Sequence, residues 1–254
     1  MSKCMTKGEK DFSFPEMYHY NPLFSMSNAS NSQQPYSNTG KNPAGHTLHY
    51  VLVLDRSGSM TYRMDEVRHA VNNQIEILSR EAKENGHTCL LSVVVFDDKI
   101  ETIVIERNIA EVTPLTHADV KPRGTTALVD ATVLTIEQAA AQVGPRIDGD
   151  NESLAIVVYT DGGENASRHR TQKDLIRVLE TYQNLPGWDI TFIGASPEAF
   201  SMMERAHFRA DKMLHIDASD SAWAMHQMTN TLCKKMHFKQ EMTIRDIYPN
   251  KEHC

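Results

Sequence analysis

Two short segments in this sequence carry carboxylates where an apolar run ends: Asp55-Arg56-Ser57-Gly58-Ser59 and Asp161-Gly162-Gly163-Glu164-Asn165. A third, Arg123-Gly124-Thr125-Thr126, brings hydroxyls to the start of a helical pattern. Together they offer two carboxylates and several hydroxyls, an oxygen-only donor set that suits a hard cation such as Mg2+ or Mn2+ and suits soft metals poorly. In Asp55-x-Ser57-x-Ser59 the alternation lets a tight turn aim three oxygens at one point while Arg56 and Gly58 face elsewhere. Gly58 permits backbone geometry that a larger residue resists. Taken singly, Asp, Ser, Thr and Gly are ordinary turn and cap residues. Their joint placement at two strand ends and a helix start is what points to a metal.

The elements that position these residues follow from hydrophobic patterning. Residues 49–55, HYVLVLD, form a continuous apolar run ending in Asp55, as expected for a strand buried on both faces of a parallel sheet. Val67, Val71, Ile75 and Leu78 then mark one stripe of a helix. Residues 89–98 read as a second buried strand and 100–106 as its antiparallel hairpin partner, with Asp97-Asp98 at the turn. A helix after Thr126 carries Leu128, Ile136, Ala139 and Val143, and 154–160 is an apolar strand leading to Asp161. Residues 171–185 read as a helix capped by Thr171 with Asp174 and stopped at Pro186-Gly187. Strands at 189–195 and 213–217, a helix opened by Ser196-Pro197, and a last helix over 219–239 complete the order. This predicts an α/β fold: a doubly wound, mostly parallel six-stranded sheet with one antiparallel edge strand and helices on both faces. In such sheets ligands bind beyond the carboxyl ends of the strands, where strand order reverses, and the acidic segments sit at such ends.

These segments carry a resemblance. DRSGSM after a strand, GTTALVDA opening a helix and VVYTDGGEN after another strand resemble the metal-ion-dependent adhesion site of von Willebrand factor A domains, in motif order and element order over residues 47–239. TDGGENASR and the later GWDITFIGAS are similar to small single-domain members from bacteria and their phages. The resemblance implies that Asp55, Ser57, Ser59, Thr126 and Asp161 are the metal ligands, with Thr126 rather than its neighbour Thr125 in the set. It further implies a protein-binding module in which a partner protein's Asp or Glu completes the coordination of the cation.

Competing chemistry is thinly represented. A haloacid-dehalogenase-like phosphatase also places an Asp after its first strand, but it needs a second Asp two positions on as acid/base, and here that position is Ser57. The sequence has no G-x-x-x-x-G-K-[ST] phosphate loop, no G-x-S-x-G elbow and no H-E-x-x-H. An assembly protein with a vestigial metal site is the other alternative. Of 254 residues, 26 are Lys or Arg and 33 Asp or Glu, and the net charge of -7 excludes the basic footprint of a general nucleic-acid or anionic-membrane binder. No apolar run reaches the ~20 residues of a membrane span, and the N-terminus reads as lacking a secretion signal. Cys4, Cys89, Cys233 and Cys254 are scattered, which fits a reducing, cytoplasmic setting.

Residues 1–46 read as a flexible polar leader, or as a docking arm anchored by Phe12, Phe14, Tyr18, Tyr20 and Phe24; residues 240–254 read as a tail. The leader has no periodic apolar face and is expected to be dispensable for folding. Met202, Met203, Met225, Met228 and Met236, with Trp188 and Trp223, are expected to pack in the core, and Arg168-His169-Arg170 to form a solvated loop before a helix cap, with framing of the metal face as the alternative.

Overall fold

A computed structural model describes residues 45–216 and 220–238. Most of the leader, the tail, and the first and last residues expected of the final helix lie outside them. Six strands form one sheet: β1 (Thr47–Asp55), β2 (Thr88–Phe96), β3 (Ile100–Asn108), β4 (Glu152–Thr160), β5 (Trp188–Gly194) and β6 (Met213–His215). Their order across the sheet is β3-β2-β1-β4-β5-β6. All neighbouring pairs are parallel except β2 with β3, which closes one edge as the expected hairpin. Five helices cover the faces: α1 (Met64–Glu84), α2 (Leu128–Gln142), α3 (Gln172–Tyr182), α4 (Pro197–Arg205) and α5 (Ser221–Phe238).

Strand alternation divides the core in two. Leu48, Tyr50, Leu52 and Leu54 of β1 point to the face covered by α1 and α5, where they meet Val67, Val71, Ile75 and Leu78. Val51 and Val53 point to the opposite face, against Leu128, Ile136 and Ala139 of α2 and the apolar stripes of α3 and α4. Burial on both faces is why β1, β2 and β4 are apolar nearly end to end rather than alternating. The five methionines are buried and Trp188 stacks on Tyr182, but Trp223 is 44% exposed and does not join the core.

Boundaries moved where side chains intervened. Thr171 and Asp174 form the expected capping box, yet α3 stops at Tyr182. Gln183 follows it, its side-chain amide donating to the carbonyl of His207 (2.9 Å) and accepting from the N–H of Arg209 (3.1 Å). At the other end of the chain, His46 is 2% exposed, its Nε2 2.7 Å from Ser153 Oγ, and its carbonyl accepts from Thr88 N–H. The packed body therefore takes in His46, one residue before β1.

One polar cluster ties the last helix to the sheet. Asp189 on β5 is buried with Lys212, at 2.5 Å, and with Lys235 of α5. Removing the carboxylate leaves buried ammonium groups without it, a change that costs about 3–5 kcal/mol in buried pairs. Asp189→Ala is therefore expected to lower the melting temperature by roughly 10 °C, at about 2–4 °C per kcal/mol for a domain of this size. A shift below about 2 °C by calorimetry would show that the cluster contributes little.

Candidate metal centre

Strand order reverses between β1 and β4: β1 connects outward to β2, while β4 begins the run toward β6. The loops leaving these two parallel neighbours carry Asp55 and Asp161. Asp55 is the last residue of β1 and is fully buried. One carboxylate oxygen accepts the Ser57 N–H at 2.6 Å, and the other accepts the Thr160 hydroxyl of β4 at 2.5 Å. Burial is the main influence on its acidity and outweighs both hydrogen bonds, raising its pKa from 3.8 to about 6.

The chain then enters a short 3-10 turn, Gly58–Tyr62. Ser57 Oγ and Ser59 Oγ lie 3.0 Å apart, and the Ser59 hydroxyl donates to Asp161 Oδ1 at 2.6 Å. Thr126 comes from the third segment. Its N–H donates to Asn165 Oδ1 at 2.8 Å, and its carbonyl accepts from the N–H groups of Asn165 and Ala166. Thr126 is buried and its neighbour Thr125 exposed, which separates the two hydroxyls. Gly162 reports how closely the donors converge. A Cβ placed on it would lie 3.1 Å from Thr126 Oγ1, 3.3 Å from Ser59 Oγ and 3.7 Å from Asp55 Oδ2. Donors from two separate segments thus border one small space beside the third, and the absence of a side chain on Gly162 keeps it open.

Arg56 faces away from this space, as the alternation requires. Its guanidinium lies 2.9 Å from Asp97 and 2.7 Å from Glu101, and Arg123 reaches the same two carboxylates at 2.7 and 2.6 Å. Burial would raise the Asp97 pKa, but the hydrogen bonds from Arg123 and Lys99 N–H and the charges of both arginines hold it below the usual carboxylate range. The 123–127 segment is pinned to this network: Arg123 N–H donates to the Arg56 carbonyl and Ala127 N–H to that of Asp97. Gly124, at φ +66°, takes a left-handed conformation, and a Cβ there would lie 2.4 Å from Asp98 Oδ1. The acidic pair after β2 is therefore a structural turn, as its position predicts.

The donor set fits a hard divalent ion: two carboxylates, three hydroxyls and no sulfur or imidazole. Among the described residues no cluster of three or more His, Cys, Asp or Glu is placed to hold a metal. This site takes most of its oxygens from hydroxyls instead.

No family model matches the sequence, and no curated protein matches it. Solved structures do match in fold. The PilB minor pilin from Streptococcus sanguinis is 14% identical with a TM-score of 0.58, over 80% of this chain and 65% of that one. The pilus adhesin SpaC from Lactobacillus rhamnosus GG, in an open conformation, is 14% identical with a TM-score of 0.51, over 75% of this chain and 30% of that one. The ArnB paralog VWA2 from Sulfolobus acidocaldarius is 18% identical with a TM-score of 0.49, over 76% of this chain and 46% of that one. The chain spans less than two thirds of the length of each. Its fold is the doubly wound, Rossmann-like α/β fold that the resemblance to von Willebrand factor A domains implies.

Within that fold, several residues beyond the five sequence candidates shape the site. Thr160 and Asn165 orient Asp55 and Thr126 directly. Glu164 substitutes for the missing cap of α2, accepting the Val129 N–H at 2.7 Å, while its other oxygen accepts the N–H groups of Ala166 and Ser167. Asp130 of α2 accepts the N–H groups of Arg168, His169 and Arg170 at 2.9, 3.1 and 2.6 Å. This fixes the loop after Asp161 through its backbone. Thr160, Asn165, Glu164 and Asp130 all lie inside the motif segments, but nothing in their spacing marks them as supports. Arg63, 3.2 Å from Asp161 Oδ2, lies outside the motifs altogether.

The raised pKa of Asp55 has a thermodynamic consequence. A carboxyl that holds its proton more tightly folded than unfolded makes the fold less stable as pH rises from about 4 through 6. A rise from 3.8 to about 6 corresponds to about 3 kcal/mol for holding charge there. Asp55→Asn keeps the geometry, because the amide oxygen can accept the Ser57 N–H while Thr160 Oγ1 accepts from the amide and turns its proton to the Gly162 carbonyl, 3.2 Å away. In EDTA at pH 7.5 this variant is expected to melt several degrees above the parent protein, with the difference shrinking toward pH 4. A lower melting temperature at pH 7.5 would refute the cost assigned to the buried charge.

Proposed function

We propose that this chain is a divalent-metal-dependent protein-binding module, in which Asp55, Ser57, Ser59, Thr126 and Asp161 hold Mg2+ or Mn2+ and a partner protein presents an Asp or Glu side chain to the ion. One observation carries the reading: Asp55 and Ser59 from one segment and Thr126 from another border the same space beside Gly162 of the third. Once bound, the ion would cancel the charge of the two carboxylates, and a coordination position left by the neutral hydroxyl ligands would draw an anionic oxygen. The chain's own residues orient the donors. Thr160 and the Ser57 N–H hold the two oxygens of Asp55, Ser59 holds Asp161, and Asn165 fixes the peptide of Thr126.

Binding rather than catalysis is favoured by what occupies the second position after Asp55. A phosphatase needs a proton shuttle there, and Ser57 instead turns its hydroxyl to Ser59. Arg56 and Arg123 are committed to Asp97 and Glu101, which supports a protein partner over a nucleic acid. No helix among the described residues is long and apolar enough to cross a membrane. We place the module in the cytoplasm, in keeping with thiols at Cys89 and Cys233.

Isothermal titration is expected to show one Mg2+ or Mn2+ per chain and none for Asp55→Ala. Gly162→Ala removes no donor but puts a methyl into the shared space, so it is expected to weaken the ion at least tenfold while circular dichroism stays unchanged. Undiminished binding by both variants would refute the site. Turnover of a generic phosphate ester that disappears in Asp55→Asn would overturn the non-catalytic reading.

A further inference from the structure

Arg63 is the residue on this face that the five-ligand reading does not use. It closes the 3-10 turn and opens α1, with its N–H donating to the Met60 carbonyl and its own carbonyl accepting from Val67 N–H, so its backbone is fixed from both sides. From there its guanidinium reaches Asp161 Oδ2 at 3.2 Å. The Arg63 side chain is 22% exposed and that of Asp161 is 1% exposed, so the pair sits at the rim with its anion inside. Asp161 Oδ1 is already taken by the Ser59 hydroxyl. Both oxygens of the second carboxylate of the proposed metal site are thus engaged by groups of this chain, one of them a full positive charge. The adjoining Tyr62 is 98% exposed on the same turn.

We propose that Arg63 is an internal cation of the metal centre: it pairs with Asp161 in the metal-free protein, competes with the divalent ion for that carboxylate, and is released by it to the acidic side chain of the partner. The proposal rests on the metal-binding reading above. Its physical basis is direct. Two carboxylates in one water-poor pocket repel each other, and a guanidinium on one of them relieves that repulsion. A divalent ion entering the same pocket meets a positive charge it must displace, and at this separation and burial the mutual repulsion is not screened as it would be in bulk water. Once the ion has drawn the charge of Asp161 to itself, Arg63 keeps its own charge and its place beside the site. A guanidinium is the side chain best shaped to take up a carboxylate, and the partner brings one. Tyr62 stands next to it as an exposed aromatic surface for whatever flanks that carboxylate.

The test is a charge series read with Mn2+ alone. Arg63→Ala and Arg63→Gln are expected to bind Mn2+ on the order of tenfold more tightly than the parent chain, and Arg63→Lys, which keeps the charge, to stay within about threefold of it. Melting curves give the second readout. Both neutral variants are expected to melt below the parent in EDTA, with the gap closing in saturating Mg2+, because the ion replaces what Arg63 supplied. Unchanged or weaker Mn2+ binding in the neutral variants would overturn the proposal, and so would a melting gap that persists in saturating Mg2+, which would mark Arg63 as structural. For the released guanidinium the probe is acetate on Mg2+-loaded protein: the Arg63 Nε–H resonance is expected to shift, and Arg63→Ala to bind acetate several-fold more weakly. Equal acetate affinity would overturn the release. Binding of Mn2+ by the parent without tightening in the variants removes the proposal alone. Absence of Mn2+ binding in the parent removes the metal reading and the proposal with it.

Discussion

The carboxylate of Asp55 sits at the end of a central strand, fully buried, with no cationic side chain among the described residues paired with it. Two hydrogen bonds do not make up for the water it has lost, and its pKa stands near 6 in consequence. At neutral pH the fold therefore holds a charge it would be more stable without. A positive ion placed beside Asp55 would relieve this strain, and the hydroxyls of Ser57, Ser59 and Thr126 lie around the space where such an ion would come. The tension at Asp55 gives the rest of the site its direction.

The contrast with Asp97 makes the point sharper. Asp55 ends β1 and Asp97 follows the last residue of its parallel neighbour β2, both are buried, and Arg56 follows Asp55 directly in sequence. Yet Arg56 and Arg123 both reach Asp97, which is stabilised in its charged form, and neither reaches Asp55. The alternation along Asp55-Arg56-Ser57 decides this, since adjacent residues in the turn face opposite ways. The arginine–carboxylate network then serves as a rigid wall that locks the 123–127 segment, while Glu164 and Asp130 lock the loop on the other side by accepting backbone N–H groups. The donors are held by frameworks that do not themselves compete for an ion, except at Asp161.

How much of this could be read from sequence follows from which signals are local. The strands, the antiparallel edge and the helix stripes were legible because each rests on an apolar period or a cap within a few residues, as at Val67, Val71, Ile75 and Leu78 or Thr171 with Asp174; the order β3-β2-β1-β4-β5-β6 was not. The donors were legible because each sits at an element end. The supports were not. The bond from Thr160 to Asp55 spans 105 positions and that from Thr126 to Asn165 spans 39, and no spacing rule reports a pair so separated. Arg63 was hidden for another reason: the 3-10 turn after Ser59 sets which way it points, and a helix beginning directly after the motif would have turned it elsewhere. The end of α3 was read at Leu185 from Pro186-Gly187, whereas the helix stops at Tyr182, before the residue that a following proline keeps out of helical conformation.

A chain with a net charge of -7 that binds an acidic partner faces long-range repulsion from that partner. Beyond about 8–10 Å at physiological salt this repulsion is screened, so the encounter is decided by the charges within reach of the docking face. There the metal-free protein presents Asp55 and Asp161, with Arg63 already occupied by the latter. A partner carboxylate arriving at this face would meet two like charges and no free cation among these three residues. With a divalent ion held by the same carboxylates, their two charges would be cancelled, and Arg63 would leave the face net positive. On the proposed reading, metal dependence follows from charge balance at one crevice and needs no movement of the surrounding fold. On that reading the sheet places the crevice, the arginine network keeps other positive charge away from Asp55, and the ion together with Arg63 would set whether an acid can approach.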